Sequence, residues 1–222
     1  MKFIEVVISV DSNSISGMGG TEQLDISSVL ENVDELIKNA EMIGVGSTRK
    51  VYRYENLVIK TFLHPIGYTQ SKNEYDMYIS LEAIGLEKHI APILFINEKY
   101  VIQPFYEQLP LNNHCSYDID LEADSRMTED LKAALHVIDK ELDGFDFKDS
   151  GNYGLNEEGL LVLNDYGMTK KLYEEQWVPL AEAGTLPQIH FKKCCVCKIE
   201  KELRMYGEND TDNRCVSCGK DY

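Results

Sequence analysis

The chain has 222 residues, of which 43% are hydrophobic and 27% charged, with a formal net charge of −16 at pH 7, enough for one full core plus a small appendage. No apolar run approaches the roughly 20 residues needed to cross a bilayer. Met1-Lys2-Phe3-Ile4-Glu5 also lacks the basic and apolar regions of a secretory signal, so the expectation is a cytoplasmic protein with reduced thiols and no membrane partner. The charge is uneven: from Lys192 onward seven Lys and Arg stand against six Asp and Glu, a balance of +1, so residues 1–191 carry −17. An acidic body of this size repels nucleic-acid phosphate; it suits a solvated surface, attraction to a basic protein face, or mimicry of DNA.

In chain order, residues 3–10 read as a strand and the Ser- and Gly-rich 11–21 as a loop. A helix is predicted from Asp25, with Ser27 or Ser28 as its cap and Val29, Leu30, Val33, Leu36 and Ile37 at helical spacing, ending near Gly44. Residues 50–54 alternate, Glu55-Asn56 turns, and 57–62 run back as the second strand of a hairpin. A helix from about 71 to 84 is expected to turn Tyr75, Tyr78, Ile79 and Leu81 inward. Strands at 93–96 and 100–103, a polar loop over 112–127 and a helix over 128–142, packed through Leu131, Ala134, Leu135 and Ile138, complete an α+β order.

The C-terminus carries Cys194-Cys195-Val196-Cys197 and Cys215-Val216-Ser217-Cys218, two C-x-x-C hooks with 17 residues between them. Two residues between cysteines let a tight knuckle aim both sulfurs at one point, and two knuckles complete a tetrahedral site of four thiolates. So short a segment buries too little apolar surface to fold alone, and a structural Zn2+ would supply on the order of 10–16 kcal/mol. Disulfides or a redox pair are the competing reading, disfavoured in a reducing compartment. Cys194, Cys197, Cys215 and Cys218 are the expected ligands; Cys195 becomes one if the hook slips by a residue, and His190 is the rival ligand. Cys115 and the other histidines show no metal-ligand spacing.

Ahead of the hooks, Gly44 and Gly46 precede the hairpin that carries Lys60, an order that lets the backbone approach phosphate oxygens while a lysine reaches them from the next strand. Residues 43–52 with Val58-Ile59-Lys60 resemble the glycine-rich loop and lysine strand of protein kinases, although Arg49 stands where a third glycine is usual. Further on, residues 146–155 and then Asn164-Asp165-Tyr166-Gly167 look like a catalytic loop followed by an Asp-Tyr-Gly form of the Asp-Phe-Gly motif.

The resemblance implies a shortened protein-kinase-like two-lobe domain with a small C-terminal zinc ribbon. Divided accordingly, 1–40 packs on the lobe, 41–110 is the N-lobe, 111–190 a reduced C-lobe and 191–222 the ribbon. It implies that Gly44, Gly46 and Lys60 hold ATP, that Glu74 (or Glu82) orients Lys60, that residues 104–107 form the adenine-binding hinge, and that Asn152 and Asp165, 13 residues apart, hold Mg2+. The family's base aspartate lies five residues before the asparagine, where this chain has Phe147. Either a one-residue insertion lets Asp146 act as the base, or the base is lost. Only 26 residues separate Gly167 from the first hook, too few for a full helical C-lobe. The resemblance is closest to small kinase-like proteins of bacteriophages, which implies action in a host cytoplasm on a host protein. Two functions follow as expectations: an ATP- and Mg2+-dependent phosphotransferase, or a pseudokinase scaffold that binds a host protein. The acidic DNA mimic is a third.

Overall fold

The computed structural model describes Val6, Val7 and residues 26–221. The expected strand at 3–10 is therefore described only as β1 (Val6–Val7), and the 11–21 loop lies outside the described residues.

Where one long helix was expected, two short ones form, α1 (Ile26–Glu31) and α2 (Val33–Asn39). The helix does not run to Gly44: Ala40 is extended, and β2 (Glu41–Val45) follows at once. Met42 and Ile43 keep the apolar spacing of a helix, but the pairing of β2 with β3 (Arg49–Tyr54) overrides it. The turn at Glu55-Asn56 leads into β4 (Leu57–Phe62), as the alternation predicts. After α3 (Pro65–Glu82) come β5 (Phe95–Ile96) and β6 (Tyr100–Pro104), which complete a six-stranded antiparallel sheet in the order β1-β5-β6-β4-β3-β2.

The alternation of β4 decides what each face of this sheet does. Leu57 and Ile59 point to one side and pack with Ile102, Phe95 and the α1–α2 residues Val29 and Val33. Val58 and Lys60 occupy the opposite face, where Val101, the partner of Lys60, packs toward Tyr75 of α3. The sheet thus buries one face under α1 and α2 and gives the other to α3 and the lysine.

α3 starts six residues before its expected position, at Pro65 with His64 as cap: Nδ1 of His64 accepts from the Ile66 N–H at 3.2 Å, and proline is preorganised for the first helical position. Leu81 is buried and Tyr75 and Tyr78 half-buried, as expected, but Ile79 points to solvent; Met77 takes its place in the core.

Beyond β6 the chain passes through Phe105 and Tyr106 into β7 (Glu107–Gln108), the edge of a second, three-stranded sheet with β8 (Tyr153–Leu155) and β9 (Leu161–Leu163). Residues 112–127 form turns around α4 (Glu129–Lys140), which Thr128 caps by accepting from the Leu131 N–H at 3.1 Å. Leu131, Ala134, Leu135 and Ile138 are buried, the face expected from their spacing, against Leu161, Leu163 and Tyr166. A helical run then follows as α5 (Lys170–Leu172), a π-helical turn (Tyr173–Trp177) and α6 (Val178–Glu182). A separate hairpin, β10 (Gln188–Lys193) with β11 (Glu200–Met205), carries the cysteine hooks. Among the described residues no helix is long and apolar enough to cross a membrane.

Candidate functional site

The loop between β2 and β3 is fastened on several sides. The Gly46 N–H donates to the Arg49 carbonyl at 2.9 Å, the Leu63 N–H donates to the Thr48 carbonyl at 2.8 Å, and the Thr48 hydroxyl reaches Oε1 of Gln70 on α3 at 2.5 Å. Gly67 permits this approach, because a Cβ there would stand 2.6 Å from the Thr48 carbonyl oxygen. Gly44 sits in β2 opposite Val51, at a register irregularity.

This seating carries Arg49 inward. Its side chain is only 5% exposed; Nη1 donates to Ser71 Oγ at 3.1 Å and to Glu74 Oε1 at 2.8 Å, and Nη2 donates to Asp165 Oδ1 at 2.5 Å. Lys60 lies beside this pair, with Nζ donating to the Asn164 carbonyl at 2.7 Å and standing 3.7 Å from Glu74 Oε1. The structure therefore brings Lys60, Glu74 and Asp165 together as the motifs imply, and leaves Glu82 exposed and away from them. It adds Arg49 and Ser71, which sequence reasoning missed. The signal was present: a guanidinium replacing a glycine, ahead of a helix bearing a buried glutamate, has carboxylates within reach.

The electrostatics follow from this crowding. Burial lowers the Lys60 ammonium below its ordinary value, and the Arg49 charge adds to that against Glu74 and Asp165. Arg49 itself is held charged: burial opposes it, but Asp165 and Glu74 outweigh that and raise it. Burial would raise the Asp165 carboxyl, yet Arg49 and Lys60 hold it below the ordinary carboxylate range.

Asn152 and Asp165 meet through the β8–β9 hairpin, whose residues Asn164 and Asp165 both donate to the Asn152 carbonyl, at 2.9 and 3.3 Å. The Asn152 amide donates to the Asp146 carbonyl at 2.7 Å and so ties the catalytic-loop segment to the hairpin. Asp146 lies at the surface in a left-handed conformation, φ 68°, and desolvation together with the nearby Asp149 pushes its carboxyl up. Phe147 turns into the core instead, and its carbonyl accepts from the Tyr153 hydroxyl at 2.6 Å. Asp149 is occupied in capping, accepting from the Gly151 N–H at 2.8 Å. The remaining motif residues press on α3: Asn73 donates to the Gly167 carbonyl at 2.9 Å, and a Cβ at Gly167 would lie 1.9 Å from the Gln70 carbonyl oxygen.

Residues 104–107 connect the two sheets, the place the hinge reading assigns them. Just before them Gln103, 1% exposed and on the same sheet face as Lys60, has neither amide atom hydrogen-bonded among the described residues.

Of the two residues expected to share a divalent ion, Asp165 has one carboxylate oxygen, Oδ1, bonded to the Arg49 guanidinium, and the Asn152 amide donates to Asp146. The cysteine cluster does fit zinc: the sulfurs of Cys194, Cys197, Cys215 and Cys218 all lie within 4.8 Å of one another. Sγ of Cys194 accepts from the Val196 and Cys215 N–H groups at 3.4 and 3.3 Å, so two backbone donors converge on this sulfur, an arrangement that suits a thiolate ligand. The two hooks share a backbone form, with the residue after the second cysteine left-handed in each, Lys198 at φ 64° and Gly219 at φ 93°. Cys195 is exposed and outside the cluster, and the half-buried His190 is outside it too.

The ribbon is bound to the rest of the chain at defined points. Arg204 of β11, 4% exposed, donates to the Gly46 carbonyl, and Ser116 donates through both N–H and hydroxyl to Glu202 Oε1 at 3.2 and 3.0 Å.

Comparisons with known proteins found partial structural matches. No protein-family model matches the chain, and no curated protein matches it in sequence. A solved Legionella pneumophila kinase, Lpg2603 bound to IP6, is 16% identical over 58% of this chain and 47% of its own, with a TM-score of 0.38. Two structures of APH(2'')-IIa, one a ternary complex with streptomycin and ATP and one with gentamicin, are each 18% identical over 42% of this chain and 32% of theirs, with TM-scores of 0.31 and 0.32. The chain thus spans a third to a half of the length of the solved chains it matches. With a glycine-bearing hairpin, a lysine strand, a glutamate helix, a sheet-to-sheet hinge and an Asn–Asp hairpin in that order, the fold is mixed and kinase-like.

Proposed function

We propose that this chain is a kinase-like nucleotide-binding protein whose C-terminal ribbon is folded by zinc. The convergence of Lys60, Glu74 and Asp165 from three separate elements beside a glycine-bearing loop carries the reading, since burying charges is costly and clusters of them mark candidate functional sites. Lys60 would hold phosphate oxygens, Glu74 would orient Lys60, Gly44 and Gly46 would let the backbone approach, and the hinge would take the base. Transfer of the terminal phosphoryl group to a protein hydroxyl, with Asp146 accepting its proton, is the catalytic form of the reading. The Arg49–Asp165 bond favours the other form, a pseudokinase scaffold that binds a host protein through its acidic surface.

Thermal melts with ATP test nucleotide binding, and transfer from γ-labelled ATP to the chain itself or a bacterial lysate separates the two forms. A melting shift absent in Lys60→Ala supports the site. Labelling lost in Asp165→Ala selects the enzyme; a shift without labelling selects the scaffold. No shift under any condition would end the nucleotide reading.

A further inference from the structure

We infer that Arg49 is the resident counter-cation of Asp165 and stands where a kinase-like site would hold a metal ion. The inference rests on reading this cleft as the kinase-like phosphate site. Lys60, Glu74 and Asp165 alone would carry one net negative charge and attract a cation; with Arg49 the cluster is neutral. The guanidinium is placed by structure rather than by chance. Arg49 begins β3 opposite Phe62, its neighbour Thr48 is locked to Gln70, and Ser71 and Glu74 hold Nη1 so that Nη2 faces Asp165. A planar fork that spans two carboxylates is what arginine supplies and lysine does not. A divalent ion at Asp165 would be left with Oδ2 alone, or would have to break this bond, and in either case would sit beside a buried guanidinium of like charge.

The test is a manganese titration of the zinc-loaded full chain, counting free Mn2+ by electron paramagnetic resonance. Zinc holds a four-thiolate site far better than manganese, so the ribbon stays loaded. Wild type is expected to show no Asp165-dependent Mn2+ site. Arg49→Ala is expected to gain one, roughly tenfold tighter or more than anything in wild type, and lose it again when Asp165→Asn is added. Mn2+ bound at Asp165 in wild type as tightly as in Arg49→Ala overturns the inference, and so does a variant that gains no site. Lys60 remains to face Glu74 when Arg49 is removed; should that variant melt early, Arg49→Ala with Glu74→Gln removes the buried carboxylate charge and gives the same readout. Melts with a non-hydrolysable ATP analogue in EDTA and in Mg2+ run alongside. A wild-type shift that requires Mg2+ also overturns the inference, whereas no shift at all removes the nucleotide reading and leaves the manganese result to stand or fall by itself.

Discussion

Arg49 and Asp165 are 116 residues apart in sequence, yet Nη2 of one donates to Oδ1 of the other at 2.5 Å. This bond joins the glycine-bearing hairpin to the Asp-Tyr-Gly segment that follows β9. Glu74 sits behind it, fully buried, and faces both cations.

Glu74 is consequently the member whose loss the fold tolerates least. Glu74→Ala would leave Arg49 and Lys60, two buried like charges, with Asp165 as their nearest carboxylate. A cost of about 3–5 kcal/mol is expected from breaking a buried pair in this way, read as a lower midpoint in urea denaturation. Glu74→Gln, which keeps the volume, should cost less. Equal stability of Glu74→Ala and wild type would mean that the cluster is solvated in solution.

Acid should open the same contact. The Asp165 carboxyl is held below its ordinary value by Arg49 and Lys60 in the folded state. Its contribution is therefore present above the unfolded carboxylate value of about 4 and is lost as pH falls through the lower folded value. Melting temperatures measured downward from pH 5 should fall more steeply for wild type than for Asp165→Asn. Parallel curves would show that Asp165 carries no such linkage.

Gly167→Ala tests the packing of the motif against α3. A methyl group there would stand 1.9 Å from the Gln70 carbonyl oxygen, backbone against backbone with no side chain free to yield. A loss of about 1–3 kcal/mol is expected for such overpacking, with weaker nucleotide binding because Asp165 moves with the strand. Gly85→Ala is no fair control, since its φ is positive, although nothing lies within 4 Å of its Cβ position. A stable Gly167→Ala protein would mean that this contact relaxes freely.

Zinc removal should affect more than the ribbon. One zinc per chain is expected by metal analysis, released together with four titratable thiols. Cys215→Ser should lose the metal, melt the β10–β11 hairpin, and free Gly46 from Arg204. Limited proteolysis would then cut within residues 44–49 faster than in the loaded protein. Unchanged cleavage there would show that the ribbon and the loop are independent.

Local chemistry made much of this legible in the sequence. The β3–β4 hairpin follows from alternation and a two-residue turn, α4 from Thr128 and its apolar face, and the metal cluster from hook spacing. What stayed hidden depended on tertiary context. The α2–β2 boundary at Ala40 was masked because Met42 and Ile43 suit either period. Pro65 and His64 carried a helix start that the apolar pattern placed later. Arg49 read only as a departure from glycine, since its partners lie 22, 25 and 116 residues away and no local rule links them.

The clasp on Gly46 has a consequence for the kinetics of any ligand that enters beneath the loop. Its N–H is held by Arg49 and its carbonyl by Arg204, so the peptide units on both sides of Gly46 are already fixed before a ligand arrives. Ordering a residue's backbone costs roughly 1–2 kcal/mol, and with the ribbon folded by zinc as proposed, that entropy is lost at that step and not when phosphate binds. Association with the loaded protein should therefore proceed in a single kinetic phase, without the slower closing step of a mobile flap.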